Sequence, residues 1–138
     1  MIYRTASDAE TIALGERLAR ELTGVVLLIG NLGAGKTTLA KGIVNGLGAA
    51  APDEVSSPTF TLIHEYGEGR VYHVDLYRLD EAREVATLGL DDMIAGGGLV
   101  LIEWGERFPN LLPPERTEIR IHPVGDDERE IEVIRLPS

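Results

Sequence analysis

The apolar residues of this 138-residue chain fall into short runs of two kinds. Some are continuous or alternating over four to six positions, the habit of strands, and others recur every three or four positions, the habit of helices. Ile12, Leu14, Leu18 and Leu22 form the first helical stripe, with Arg17, Arg20 and Glu21 on the wet side. Ser7 or Asp8 can cap that helix, which is predicted to run to about Thr23 before Gly24 ends it. Residues 25–29, Val-Val-Leu-Leu-Ile, read as a buried strand. A second helix follows to about Leu47, where Gly48 and Pro52 break it. Residues 59–66 and 70–77 read as an antiparallel hairpin around Gly67-Glu68-Gly69. Residues 80–95 read as helical, with Val85, Leu88, Met93 and Ile94 for the core and Gly89 placed to break the helix in two. Residues 99–103 are a further buried strand, apolar until Glu103. Residues 118–123 and 130–136 read as a closing hairpin around Gly125-Asp126-Asp127. The expected class is α/β, with antiparallel strands in the sheet and one domain over residues 1–138.

Between the strand at 25–29 and its helix lies Gly30-Asn31-Leu32-Gly33-Ala34-Gly35-Lys36-Thr37. It fits the phosphate-binding pattern G-x-x-x-x-G-K-[ST] at every fixed position, in the strand–loop–helix setting the pattern needs. Backbone N–H groups from Asn31, Leu32, Gly33, Ala34 and Gly35 through to Thr38 would curl around phosphates, helped by the positive end of the helix dipole. Lys36 would reach the β- and γ-phosphates, and the Thr37 hydroxyl would hold Mg²⁺. Such a site needs an acid near the metal, at the carboxyl end of an apolar strand. Glu103 has that form, and Asp75 ends the apolar run before it. Asp75 reads equally as a metal or water-orienting acid and as a strand-end acid capping the next turn. Thr59, after the stiff Ser57-Pro58 turn, reads as a strand-starting residue or as a γ-phosphate switch. Trp104, the sole tryptophan, reads first as core. His64, His73 and His122 lack metal-ligand spacing and read as ordinary strand residues.

Composition narrows the ligand. The only lysines are Lys36 and Lys41, so no Asn/Thr-Lys-x-Asp stretch exists to select guanine, and ATP is the expected nucleotide. The chain is short for a metabolite kinase with an arginine-bearing lid, which stays an alternative, as does a nucleotide-sensing interaction module. Net charge is −10, from 23 acidic and 13 basic residues, which argues against direct grip on a nucleic-acid backbone. There is no cysteine, so disulfides, thiolate metal sites and thiol nucleophiles are excluded. No signal-peptide core or membrane-length apolar run is present, so a soluble cytoplasmic protein is expected.

Four stretches then act together: Gly30 to Thr38, Ser57 to Leu62, Asp75-Leu76-Tyr77-Arg78-Leu79, and Ile102-Glu103-Trp104. In that order and spacing they resemble the TsaE (YjeE) family of bacterial tRNA threonylcarbamoyladenosine biosynthesis proteins. Leu14-Gly15-Glu16-Arg17 adds to the resemblance, which covers nearly the whole chain and is weakest after Arg107. It implies a three-layer P-loop-like fold with a mixed sheet, and a cytoplasmic Mg-dependent ATPase. Such a protein assists the TsaB–TsaD complex that modifies the adenosine beside the tRNA anticodon, with tRNA met only through partners and no membrane involved. Carried onto matching positions, it implies Thr37 and Glu103 as Mg²⁺ ligands and Lys36 on the phosphates. It also implies Asp75 as a catalytic or water-positioning acid and Thr59 as a switch. Arg129, Thr11 and Glu106 are implied, on weaker grounds, to lie near the nucleotide.

Overall fold

A computed structural model describes residues 1–31, 33–58 and 61–137. Its strands are β1 (Ile2–Thr5), β2 (Val25–Ile29), β3 (Ile63–Tyr66), β4 (Val71–Asp75), β5 (Leu99–Glu103), β6 (Arg116–Pro123) and β7 (Arg129–Leu136). Its helices are α1 (Asp8–Leu18), α2 (Lys36–Gly46), α3 (Ala82–Ala86) and α4 (Leu90–Ala95). The strands make one sheet in the order β1-β7-β6-β2-β5-β4-β3. The middle four, β6, β2, β5 and β4, are parallel, and antiparallel partners close both flanks.

The composition of β2 follows from that position. A strand buried on both faces has no wet side, so it reads as a continuous apolar run. Val26 and Leu28 face one core with Leu14, Leu39 and Ile43, under α1 and α2. Val25 and Leu27 face the other core with Leu76, Val85, Leu90 and Phe108, under α3, α4 and the turns after β5. The result is the three-layer mixed-sheet arrangement that the sequence implied.

Helix α1 and helix α2 meet backbone to backbone. A Cβ added to Gly42 would lie 2.0 Å from the Ile12 carbonyl oxygen, and one added to Gly15 2.6 Å from that of Leu39. These glycines let the two helices close on each other.

Several expected boundaries moved. Helix α1 stops at Leu18, because the chain tightens into a turn, with Glu21 N–H donating to the Leu18 carbonyl, before β2 is entered at Val25. Leu22 stays buried although it lies beyond the helix. Strand β3 starts at Ile63 rather than 59, since Leu62 takes a left-handed φ of 71° that a strand cannot contain. Strand β1 was not expected. Its four residues are too few for a pattern, and pairing with β7 creates it. Gly89, at φ 80°, separates α3 from α4 as anticipated.

Gly42→Ala is expected to lower stability by about 3 kcal/mol, the upper end for forced overpacking, which outweighs alanine's advantage of about 1 kcal/mol in a helix. The melting temperature should then fall by roughly 10 °C. Gly24→Ala, which meets nothing within 4 Å and carries only a φ of +68°, should cost about 1 kcal/mol. Equal losses in thermal denaturation of the two variants would contradict the helix-contact account.

Candidate functional site

Parallel strands carry their carboxyl ends to one edge, and the crevice outside that edge is the usual ligand position in such sheets. Here β4 and β5 pair in parallel with Asp75 directly opposite Glu103. Both carboxylates are buried, at 2% and 3% exposure. Beside β5 runs β2, and the chain leaves β2 through the glycine-rich loop into α2. Alternation along two neighbouring strands and one tight loop therefore bring the two acids and the start of α2 together.

A cavity of about 300 Å³ lies there, lined by Gly33, Gly35, Lys36, Thr37, Thr38, Asp75, Glu103 and Arg129 from the expected set. Ser57, Tyr77, Trp104 and Asp8 complete its wall. Helix α2 begins at Lys36 with no side-chain cap on its first turn, so its leading N–H groups have no protein acceptor of that kind. Gly35 takes φ 107°, open to glycine alone at low cost, and the Arg129 side chain lies against it. A Cβ at Gly35 would sit 2.7 Å from Arg129 Nε.

Lys36 is the centre of the charge arrangement. It is 5% exposed, yet its ammonium makes no hydrogen bond. Its Nζ stands 4.0 Å from Glu103 Oε1 and 3.7 Å from the centre of the Trp104 ring. Burial pushes its pKa below the ordinary lysine value of 10.5, while Glu103, then Glu106 and Asp75, pull it back up. Arg129 is also largely buried, with Nε lacking a partner and one terminal nitrogen 3.8 Å from Asp8. Two cations with unspent donors, beside an uncapped helix N-terminus, form a place that an anion completes.

The remaining expected residues fall as follows. Asp75 accepts from the Tyr77 backbone N–H at 2.9 Å and from the Ser57 hydroxyl at 3.4 Å. Glu106 sits in a one-turn 3-10 helix, Gly105–Arg107, with a buried oxygen that makes no hydrogen bond, near enough to Lys36 to act on its charge. Asn31 is exposed, and its carbonyl accepts from Ala34 N–H at 3.0 Å, closing the loop's first turn. Thr11 is buried away from the cavity wall, and its hydroxyl meets the Thr5 hydroxyl at 2.7 Å. Leu32 and Thr59 lie outside the described residues.

Two readings of single residues change. Trp104 is not simply core. One part packs on the apolar layer under α3 and α4, and the ring also faces Lys36 and Tyr77, whose centroid is 5.1 Å away. His73 is not an ordinary strand residue either. It is fully buried, with Nε2 2.5 Å from Glu103 Oε2. The signal was present as spacing, because residues 71, 73 and 75 share a face of β4, but only the β4–β5 register shows that this face meets Glu103. His64, by contrast, bonds locally to Ser56 and Tyr66.

Among the described residues, no helix is long and apolar enough to cross a membrane.

Residues 5–131 match the family described as "Threonylcarbamoyl adenosine biosynthesis protein TsaE". A protein of Bacillus subtilis named tRNA threonylcarbamoyladenosine biosynthesis protein TsaE is 44% identical over 133 residues, covering 94% of this chain and 82% of that protein. Its namesake in Treponema pallidum is 42% identical over 135 residues, covering 96% of this chain and 97% of that one. The crystal structure of Bacillus subtilis YdiB superposes with a TM-score of 0.78 at 38% identity, covering all of this chain (100%) and 86% of that one. With the family match spanning most of its length and relatives this similar, the chain belongs to the TsaE family of threonylcarbamoyl adenosine biosynthesis proteins.

Proposed function

We propose that the chain binds and hydrolyses ATP with Mg²⁺, as a helper of the tRNA threonylcarbamoyladenosine modification machinery. The observation that carries this reading is Lys36, a buried ammonium with no hydrogen-bond partner, at the head of an uncapped helix and in front of two buried carboxylates. The family's part in threonylcarbamoyladenosine biosynthesis supplies the biological setting. Phosphates on the loop, from Gly33 through Thr38, would give Lys36 Nζ and the α2 N–H groups the acceptors they lack. The same anion would meet Arg129.

The donor set fits a magnesium ion shared with a ligand rather than a dedicated metal cage. Among the described residues, no three His, Cys, Asp or Glu side chains are grouped to hold a metal. Magnesium is commonly held by one or two protein oxygens with phosphate and water supplying the rest. Thr37 would give its hydroxyl and Glu103 a carboxylate oxygen. When bound, the ion neutralises charge developing on the phosphate oxygens. Asp75, in register with Glu103, would orient the attacking water. Glu106 would lie at the nucleotide's margin, with Thr59 as the γ-phosphate switch. The partners on this reading are TsaB and TsaD, which would bring the tRNA. The protein's net charge of −10 opposes a direct hold on RNA.

Three measurements test the reading. Lys36→Ala should weaken ATP binding about 10- to 100-fold, the range for a lost charged hydrogen bond, as measured by titration calorimetry. Asp75→Asn should leave ATP affinity within about 3-fold while turnover falls by about 100-fold or more; partner function left intact by that loss of turnover would point to a nucleotide sensor instead. ATP hydrolysis should be slow alone, faster with TsaB–TsaD, and abolished by EDTA. Turnover identical with and without the partners would remove the helper role.

A further inference from the structure

We infer that His73 is a positioning residue for Glu103, an inference that rests on the Mg–ATP reading of the site. It concerns a buried titratable group that the phosphate loop and its usual acids do not use. His73 sits at 0% exposure in the middle of β4, two residues before Asp75. Its register partner in β5 is Leu101, so Glu103 is its diagonal neighbour on the same face of the sheet. The Nε2 to Oε2 distance of 2.5 Å, at the short limit for any N–H···O contact, puts the two groups in direct hydrogen-bonding contact.

The chemistry of the pair assigns the roles. An ionised carboxylate only accepts, so Nε2 carries the hydrogen and donates. Glu103 has several rotatable bonds, and without a tether its carboxylate could turn toward Lys36 or away from it. With Oε2 held by His73, Oε1 is left as the oxygen facing Lys36 at 4.0 Å and the cavity beyond. His73 thus decides which Glu103 oxygen is offered to a cation and in what direction. Partners of this kind, one shell behind a metal ligand, commonly govern metal affinity by 10- to 100-fold.

Glutamine and asparagine separate this role from a packing role. The amide nitrogen of Gln can occupy the place of imidazole Nε2, and that of the shorter Asn cannot. Both bury a polar amide, so both bear a similar stability cost. The experiment measures ATP binding by calorimetry without metal, in EDTA, and then across a Mg²⁺ titration, with melting temperatures alongside. His73→Asn should bind ATP in EDTA as the parent does, while the Mg²⁺ concentration that half-restores tight binding rises about 10-fold. His73→Gln should bring that midpoint back to within about 3-fold of the parent. A Mg²⁺ midpoint unchanged in His73→Asn would overturn the inference. So would equal midpoint shifts in the two variants, or equal loss of metal-free binding in both, since these mark a structural histidine. If His73→Asn does not fold, His73→Gln decides alone, and a midpoint displaced 10-fold in it overturns the inference. A parent whose ATP binding ignores Mg²⁺ overturns the Mg–ATP reading first and this inference with it.

Discussion

One ammonium kept out of water organises the site. Lys36 is nearly inaccessible, and a charge so placed costs several kcal/mol unless other charges and dipoles answer it. The fold answers part of that demand. Glu103 stands 4.0 Å away and the Trp104 ring face 3.7 Å away, and both attract a cation. Hydrogen bonding is not answered at all: an ammonium has three donors, and none is used. The protein therefore holds a positive charge with unspent donors at the base of a cavity. Their alignment is in place before any anion arrives.

That alignment is inherited from elements far from the charge. Helix α2 is held close against α1 because glycines 15 and 42 let the two touch along their backbones. Strands β2 and β5 run parallel, so the loop leaving β2 and the acid ending β5 emerge on the same edge. Strand β4 adds Asp75 beside Glu103, and one turn of the pleat earlier it adds His73 beneath Glu103. A buried histidine, a buried glutamate and a buried lysine then form a line from core to cavity. His73 contacts Glu103, and Glu103 faces Lys36 at 4.0 Å.

The legible and illegible parts of this site divide along that line. The glycine-rich octapeptide and the acids at 75 and 103 were readable because each sits at the end of an apolar run, where local pattern and position agree. The hairpins at Gly67–Gly69 and Gly125–Asp127 were readable for the same reason. Register was not readable, so the His73–Glu103 contact and the placement of Trp104 against Lys36 stayed hidden. Backbone strain was hidden too. Among the described residues only Leu62, Glu68 and Trp104 take positive φ without being glycine. Two of the three border the site: Leu62 accepts from Asp75 N–H, and Trp104 follows Glu103 directly. Positions that break local rules cluster at sites where the surrounding structure enforces them. That is why strand β3 begins later than its residues suggest, and why a residue that looks like core also lines a cavity.

The unspent donors of the site sit within an acidic chain, and the difference in range explains how both can hold. At physiological salt, exposed charges fade over a Debye length of about 8 Å. A phosphate placed at the α2 N-terminus would meet the unused donors of Lys36 and Arg129 at short range, where a bound cation would offset the carboxylates beside them. A polynucleotide is many Debye lengths long and cannot enter a cavity of about 300 Å³. It meets the outer surface, where most of the chain's acidic residues lie. On the Mg–ATP reading the same chain would favour a small phosphate ligand and disfavour an RNA backbone. On the Mg–ATP reading, contact with tRNA then falls to the partners, and this chain's contribution is confined to the state of its nucleotide.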